Sequence, residues 1–144
     1  MPQIRHSIFI AAPPERVHAL VSTPHGFSQW WSEDVTEDKS SHSVDLGFFN
    51  RATVYRLAPV RMALPQTAEW RCESGQEWQG TRIIFDSTAK NGGTALQFAH
   101  ADWKAETDYF ISCNTTWGEL MFRLKASAEG KAPGPLFKRN SMAY

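Results

Sequence analysis

Apolar residues along this chain recur in two rhythms, and the changes between them divide it into three parts. Residues 4–10 alternate and are rich in Ile, which predicts a first strand. In Ala11-Ala12-Pro13-Pro14-Glu15-Arg16-Val17 a helix is predicted to start near Pro14, because proline at the first helical position has its φ preset and lacks no needed N–H. Val17, Leu20 and Val21 give that helix one apolar stripe. Thr23-Pro24 repeats the start signal with Thr23 as N-cap, and a second short helix is predicted to carry Phe27, Trp30 and Trp31. The acidic stretch from Glu33 to Asp38, continued by Lys39-Ser40-Ser41, reads as a loop.

From Ser43 to His100 the period becomes two. Val44, Leu46 and Phe48 alternate, as do Thr53 to Leu57, then Ala68, Trp70 and Cys72, then Thr81, Ile83 and Phe85, then Leu96, Phe98 and His100. Such runs, separated by turns at Pro65-Gln66, Glu73-Ser74-Gly75 and Asn91-Gly92-Gly93, predict an antiparallel meander of five or six strands. Pro59 cannot donate to a ladder, so it implies a bulge or an edge.

The third part returns to a helical period. A helix starting between Trp103 and Thr107 and ending at Gly130 would hold about 22–26 residues and run roughly 33–39 Å. Phe110, Cys113, Trp117, Leu120, Met121, Leu124 and Ala128 then fall within one arc about 100° wide. Glu106 and Asp108 near its start and Lys125 near its end suit the helix dipole, and Gly130 is the expected residue after the C-cap. A helix this long can bury that arc only by lying across the sheet, which must curve to hold it. A second stripe, Ile111, Gly118 and Phe122, also needs cover. Either the tail Pro133-Gly134-Pro135-Leu136-Phe137 folds back over it or a second subunit does.

The length of 144 residues suits one α+β domain, here residues 1–130, followed by a Pro/Gly-rich tail, residues 131–144. Fifteen basic side chains balance fifteen acidic ones, and without a basic run there is no field to attract nucleic acid or an anionic membrane. No apolar stretch approaches membrane-spanning length, and no export leader is recognisable at the start. Cys72 and Cys113 are therefore expected to be reduced, and the protein cytoplasmic. Six Trp, nine Phe and three Tyr are the unusual feature, since tryptophans line pocket walls as readily as they fill cores.

The order strand, helix, helix, meander and long C-terminal helix resembles the helix-grip superfamily of START, polyketide-cyclase and birch-pollen-allergen proteins. Within it the sequence is similar to the branch named after the activator of the heat-shock protein 90 ATPase. The residues that carry the likeness are Ser7 to Val17, Phe27-Ser28-Gln29-Trp30-Trp31, Glu77-Trp78-Gln79-Gly80-Thr81, Phe98-Ala99-His100-Ala101-Asp102-Trp103, Cys113 to Leu120, Leu124-Lys125 and Glu129-Gly130. The resemblance implies a curved antiparallel sheet wrapped around the C-terminal helix, with a cavity between them. Superfamily members bind lipids, sterols or polyketides, catalyse cyclisations, or act on chaperones.

Three functions follow as expectations: binding a hydrophobic small molecule, a chaperone-interaction module, or a cyclase-like or hydrolytic enzyme. Alternation directs Trp70, Phe85, Phe98 and His100 toward the helix, and the helical arc adds Phe110, Trp117 and Met121. These seven are the candidate ligand-binding residues; the alternative is that they simply fill the core. His100, beside Asp102, could act as acid, base or ligand orienter, or could be satisfied by a backbone carbonyl or Asp102 and only close the sheet. Arg82 is expected on the opposite face as a solvated or ion-paired side chain, and Tyr55 and Tyr109 could offer hydroxyls or anchor loops. Cys113 on the buried arc should behave as a small hydrophobe. The five histidines show no metal-ligand spacing and there is no glycine-rich phosphate loop, so neither metal nor cofactor is expected.

Overall fold

A computed structural model describes residues 1–140 of the chain. The elements are β1 (Ile4–Ile10), α1 (Pro14–Val21), α2 (Pro24–Ser28), β2 (Asp34–Asp38), β3 (Ser43–Phe48), β4 (Thr53–Ala63), β5 (Thr67–Cys72), β6 (Arg82–Lys90), β7 (Gly93–Ala101) and α3 (Asp108–Ala128). All seven strands form one antiparallel sheet in the order β1-β7-β6-β5-β4-β3-β2. The meander therefore has six strands, and β1 joins its far end by pairing Ile4 with His100 and Ile10 with Thr94. Sheet, short helices and long C-terminal helix make the helix-grip fold, with the sheet curved around α3. The ladder between β4 and β5 slips between Pro59 and Arg61, where the proline predicts a bulge.

Each helix ends for an identifiable reason. In α1 the last carbonyls have no partners within the helix; here the Trp30 indole N–H donates to the Leu20 carbonyl and the Trp70 indole to that of Val21, both at 2.9 Å. The Thr23 hydroxyl caps α2 by accepting from the Gly26 amide at 2.9 Å. In α3 the Thr107 hydroxyl accepts from the Phe110 amide, and the far end closes with Gly130 at φ +85°. The Gly130 and Lys131 amides reach back to the Ser127 and Ala126 carbonyls at 3.1 and 2.9 Å, the paired bonds of a glycine-terminated helix. The buried face of α3 is Phe110, Cys113, Trp117, Leu120, Met121, Leu124 and Ala128, the arc the sequence predicts.

Three expectations change. The acidic stretch read as a loop contains β2, from Asp34 to Asp38, paired with β3. It is a short edge strand whose outer residues are charged, so it carries no apolar alternation to read. Helix α2 stops at Ser28, so Trp30 and Trp31 lie in the turn after it, although both rings are buried. Finally, the described part of the tail does not cover the second stripe, since Ile111 and Phe122 are 58% and 67% exposed. The described part of the tail runs instead beside the turn after α2. Leu136 and Phe137 donate amides to the Trp30 and Trp31 carbonyls at 3.2 and 3.0 Å, and Glu33 returns one to Phe137. These backbone pairs, and the seat of the Phe137 ring against Phe48 at 5.0 Å, are partners the helix stripe does not offer. Residues 141–144 of the tail lie outside the described residues.

Gly26 sets the packing of α1 on α2: a Cβ there would run into the Ala19 carbonyl oxygen and approach the Leu20 Cα to 2.7 Å. Backbone cannot yield as a side-chain tip can, so Gly26→Ala is expected to destabilise the fold by at least about 2 kcal/mol in urea unfolding. A loss below about 0.5 kcal/mol would show that the two helices can slide apart freely.

Candidate functional site

Trp117, midway along α3, places its indole N–H against the sheet. It donates to His100 Nδ1 on β7 at 3.1 Å, and His100 Nε2 lies 2.8 Å from the Thr81 hydroxyl. The Thr81 hydroxyl in turn donates to the Trp78 carbonyl. An indole nitrogen can only donate, so Nδ1 must accept; the imidazole is then neutral with its proton on Nε2, which donates to Thr81. The partners of His100 are thus Trp117 and Thr81, not a backbone carbonyl or Asp102. Asp102 pairs instead with Arg82 at 2.7 Å, and Arg82 also meets Glu69 at 3.2 Å, as its place on the outer face predicts. His100 has no exposed surface, and burial pushes its pKa down to about 3.

Beside this chain of hydrogen bonds lies a pocket of about 270 Å³. Its floor is aromatic: Trp31, Trp78 and Trp117, with Trp31 and Trp117 centroids 4.9 Å apart and Trp78 and Trp117 6.2 Å apart. Phe48, Phe49 and Phe137 close the side toward β3 and the tail, and Leu120 closes the end. At the other side Tyr55 lies flat on Trp78, 4.0 Å between centroids, and its hydroxyl bonds that of Tyr109. Cys113 and the hydroxyl-bearing Thr53, Ser112 and Thr116 complete the wall, with Ser112 and Tyr109 exposed at the rim.

No lining residue carries a charge at neutral pH. Burial pushes Tyr55 up to about 12 against the lowering effect of its bond to Tyr109, and burial together with that bond raises Tyr109 further, so both phenols stay protonated. Burial likewise raises the Cys113 thiol, which lies by the Trp78 indole, and this argues against a thiolate nucleophile. The wall offers neutral hydroxyls set in aromatic surface, the usual make-up of a small-molecule site. Among the described residues no group of three or more His, Cys, Asp or Glu could hold a metal ion.

Of the seven residues proposed from the sequence, Trp117 lines this pocket. The others sit in the packed interior around it. Trp70 caps α1, Phe85 meets Trp30 edge-on, Phe98 lies tilted against Trp117, His100 holds Trp117, Phe110 meets Trp103 edge-on at 5.1 Å, and Met121 is buried on α3. Nine of the thirteen lining residues lie on β3, β4 and α3, while Phe49, between β3 and β4, and three large rings come from places that periodicity does not address. Trp78 lies in the loop after β5, Trp31 in a turn and Phe137 in the tail. Signals existed for some: Trp78 stands in the Glu77 to Thr81 segment that carries the resemblance, and Tyr55 and Tyr109 offer hydroxyls.

Several solved structures share this helix-grip architecture. The Aha1 dimer from Colwellia psychrerythraea superposes with a TM-score of 0.80 at 25% identity, covering 91% of this chain and 98% of that one. Protein MLL2253 from Mesorhizobium loti gives 0.77 at 13% identity, over 89% and 97% of the two chains. CalU16 from Micromonospora echinospora gives 0.72 at 16% identity, over 93% and 69%. The neighbours thus include an Aha1 protein, and together they show the helix-grip fold. No protein-family model matches the sequence. No curated protein matches it either.

The buried imidazole makes stability depend on pH. His100 titrates near 6.5 when free and near 3 in the fold. Between these values the unfolded chain binds the extra proton, so the neutral imidazole's contribution is complete above about pH 6.5 and is lost as pH falls toward 3. His100→Gln, which can still accept from Trp117, is expected to lose less stability than the wild type between pH 6.5 and 4 in urea titrations. Parallel curves would contradict a neutral buried histidine.

Proposed function

We propose that this chain binds a hydrophobic small molecule in the aromatic pocket between α3, the β3–β4 side of the sheet and the tail. One observation carries the reading. Aromatic surface with a few neutral hydroxyls is the usual lining of a small-molecule site, and about 270 Å³ bounded in this way lies beside Trp31, Trp78 and Trp117. An apolar cavity of about 150 Å³ is enough to hold benzene. A catalytic role has weaker support, because His100, the main acid-base candidate, is held between Thr81 and Trp117 and is absent from the pocket lining. The two free, buried thiols suit a reducing, cytoplasmic compartment.

The test pairs binding with stability. Cys113→Leu adds carbon to the pocket from α3. It is expected to raise the unfolding free energy by about 0.5–1 kcal/mol and to weaken the apolar ligands that native mass spectrometry finds on the wild type. Unchanged ligand capture together with a destabilised fold would mean that the space is not a binding site.

A second reading concerns assembly. The Aha1 neighbour is a dimer, and here Ile111 and Phe122 stand exposed on α3 with Gly118 between them. A homodimer would cover the stripe that the described part of the tail leaves open; a monomer would leave it for another protein, a chaperone among them. Sedimentation equilibrium is expected to give twice the chain mass for the wild type and the single mass for Phe122→Glu. Identical masses for the two would exclude this stripe as a self-association surface.

A further inference from the structure

The two tyrosines border a second space as well. Tyr55, Tyr109 and Thr53 also line an outer recess, where they meet Gly75, Gln76 and Glu77 from the loop after β5. The bonded hydroxyls of Tyr55 and Tyr109 therefore stand in a wall shared by two spaces of opposite character. The inner one has no charged residue in its lining, and the outer one has a single charged residue, Glu77. Glu77 is fixed in place by the Thr107 hydroxyl, which caps α3 and donates to Glu77 Oε1 at 2.5 Å.

On this basis, and resting on the small-molecule reading above, we propose that the ligand has two unlike parts. A neutral ring system of about two fused rings fills the inner pocket, and a protonated amine projects past Tyr55 and Tyr109 to Glu77. The size argument compares the inner volume of about 270 Å³ with the roughly 150 Å³ that holds one benzene. The charge argument follows from desolvation: an ionised group in the inner pocket would be buried among neutral rings with no opposite charge to offset the loss of water. An anionic head in the recess would face the Glu77 carboxylate, whose field already raises the pKa of Tyr55 and Cys113. A cation there gains the carboxylate and the exposed Tyr109 ring beside it. The recess is open to water, so the gain is modest, about five- to tenfold in affinity.

The test uses three probes with one ring system: 1-naphthalenemethanol, 1-naphthylmethylamine and 1-naphthoate, titrated calorimetrically into the full chain at pH 7. The alcohol is expected to bind, the amine about fivefold or more tighter, and the carboxylate more weakly than the alcohol. In Glu77→Gln, which keeps an acceptor for Thr107, the amine should fall to the affinity of the alcohol while the alcohol is unchanged. If alcohol and amine bind alike, or the carboxylate binds tightest, or Glu77→Gln leaves the ranking intact, the two-part ligand is wrong while the pocket reading stands on the alcohol. If none of the three binds, the pocket reading fails and this inference falls with it.

Discussion

The hydrogen bond from the Trp117 indole to His100 Nδ1 fixes the rest of the interior. It lies where no water competes, and its direction is forced because an indole nitrogen has nothing to accept with. That one constraint sets the tautomer of His100, so Nε2 must donate to Thr81, and Thr81 must pass its own proton toward the Trp78 carbonyl. A helix, the last strand of the sheet and the loop before β6 are thereby joined by donors all pointing one way. Leaving any member unpaired in this setting would cost about 1–3 kcal/mol, so the register of α3 on the sheet is specified by polar chemistry as well as by apolar area.

The pocket follows from where this clamp lies. The backbone of α3 runs closest to β1 and α1, and its clamp reaches β7. The β3–β4 side of the curved sheet is thus spanned by large rings instead of by the helix itself. Trp78 is held by its backbone and by stacking on Tyr55, and its ring stands edge-on to His100 at 4.7 Å. Trp31 is held by the turn after α2, and Phe137 by backbone pairing of the tail. These rings belong to the buried core and at the same time bound the pocket. The same geometry separates acid-base chemistry from the pocket: the histidine is consumed in holding the helix.

Much of this was legible in the sequence because periodicity and capping speak directly to regular elements. The seven residues of the α3 buried face, the proline starts of α1 and α2, the glycine end of α3 and the bulge near Pro59 all carry local signals. Alternation also put His100, Phe98 and Phe85 on the inner face. It could not say which inner residues would be packed and which would border a gap, because that depends on where the helix leans. Trp78, Trp31 and Phe137 were hidden for a related reason: loop and tail residues have no period, and only their tertiary seats make them walls. Strand β2 was missed because a charged edge strand shows no apolar rhythm, and the path of the tail was set by backbone partners that the sequence does not display.

The measurement that bears most directly on this account is the tautomer of His100, read from the nitrogen shifts and one-bond couplings of the ¹⁵N-labelled imidazole at pH 5–7. The structure requires a neutral ring with the proton on Nε2 throughout that range and no titration near 6.5. A proton on Nδ1, or shifts that titrate like those of a free histidine, would mean that Trp117 does not donate to His100 and that α3 is held to the sheet in some other way.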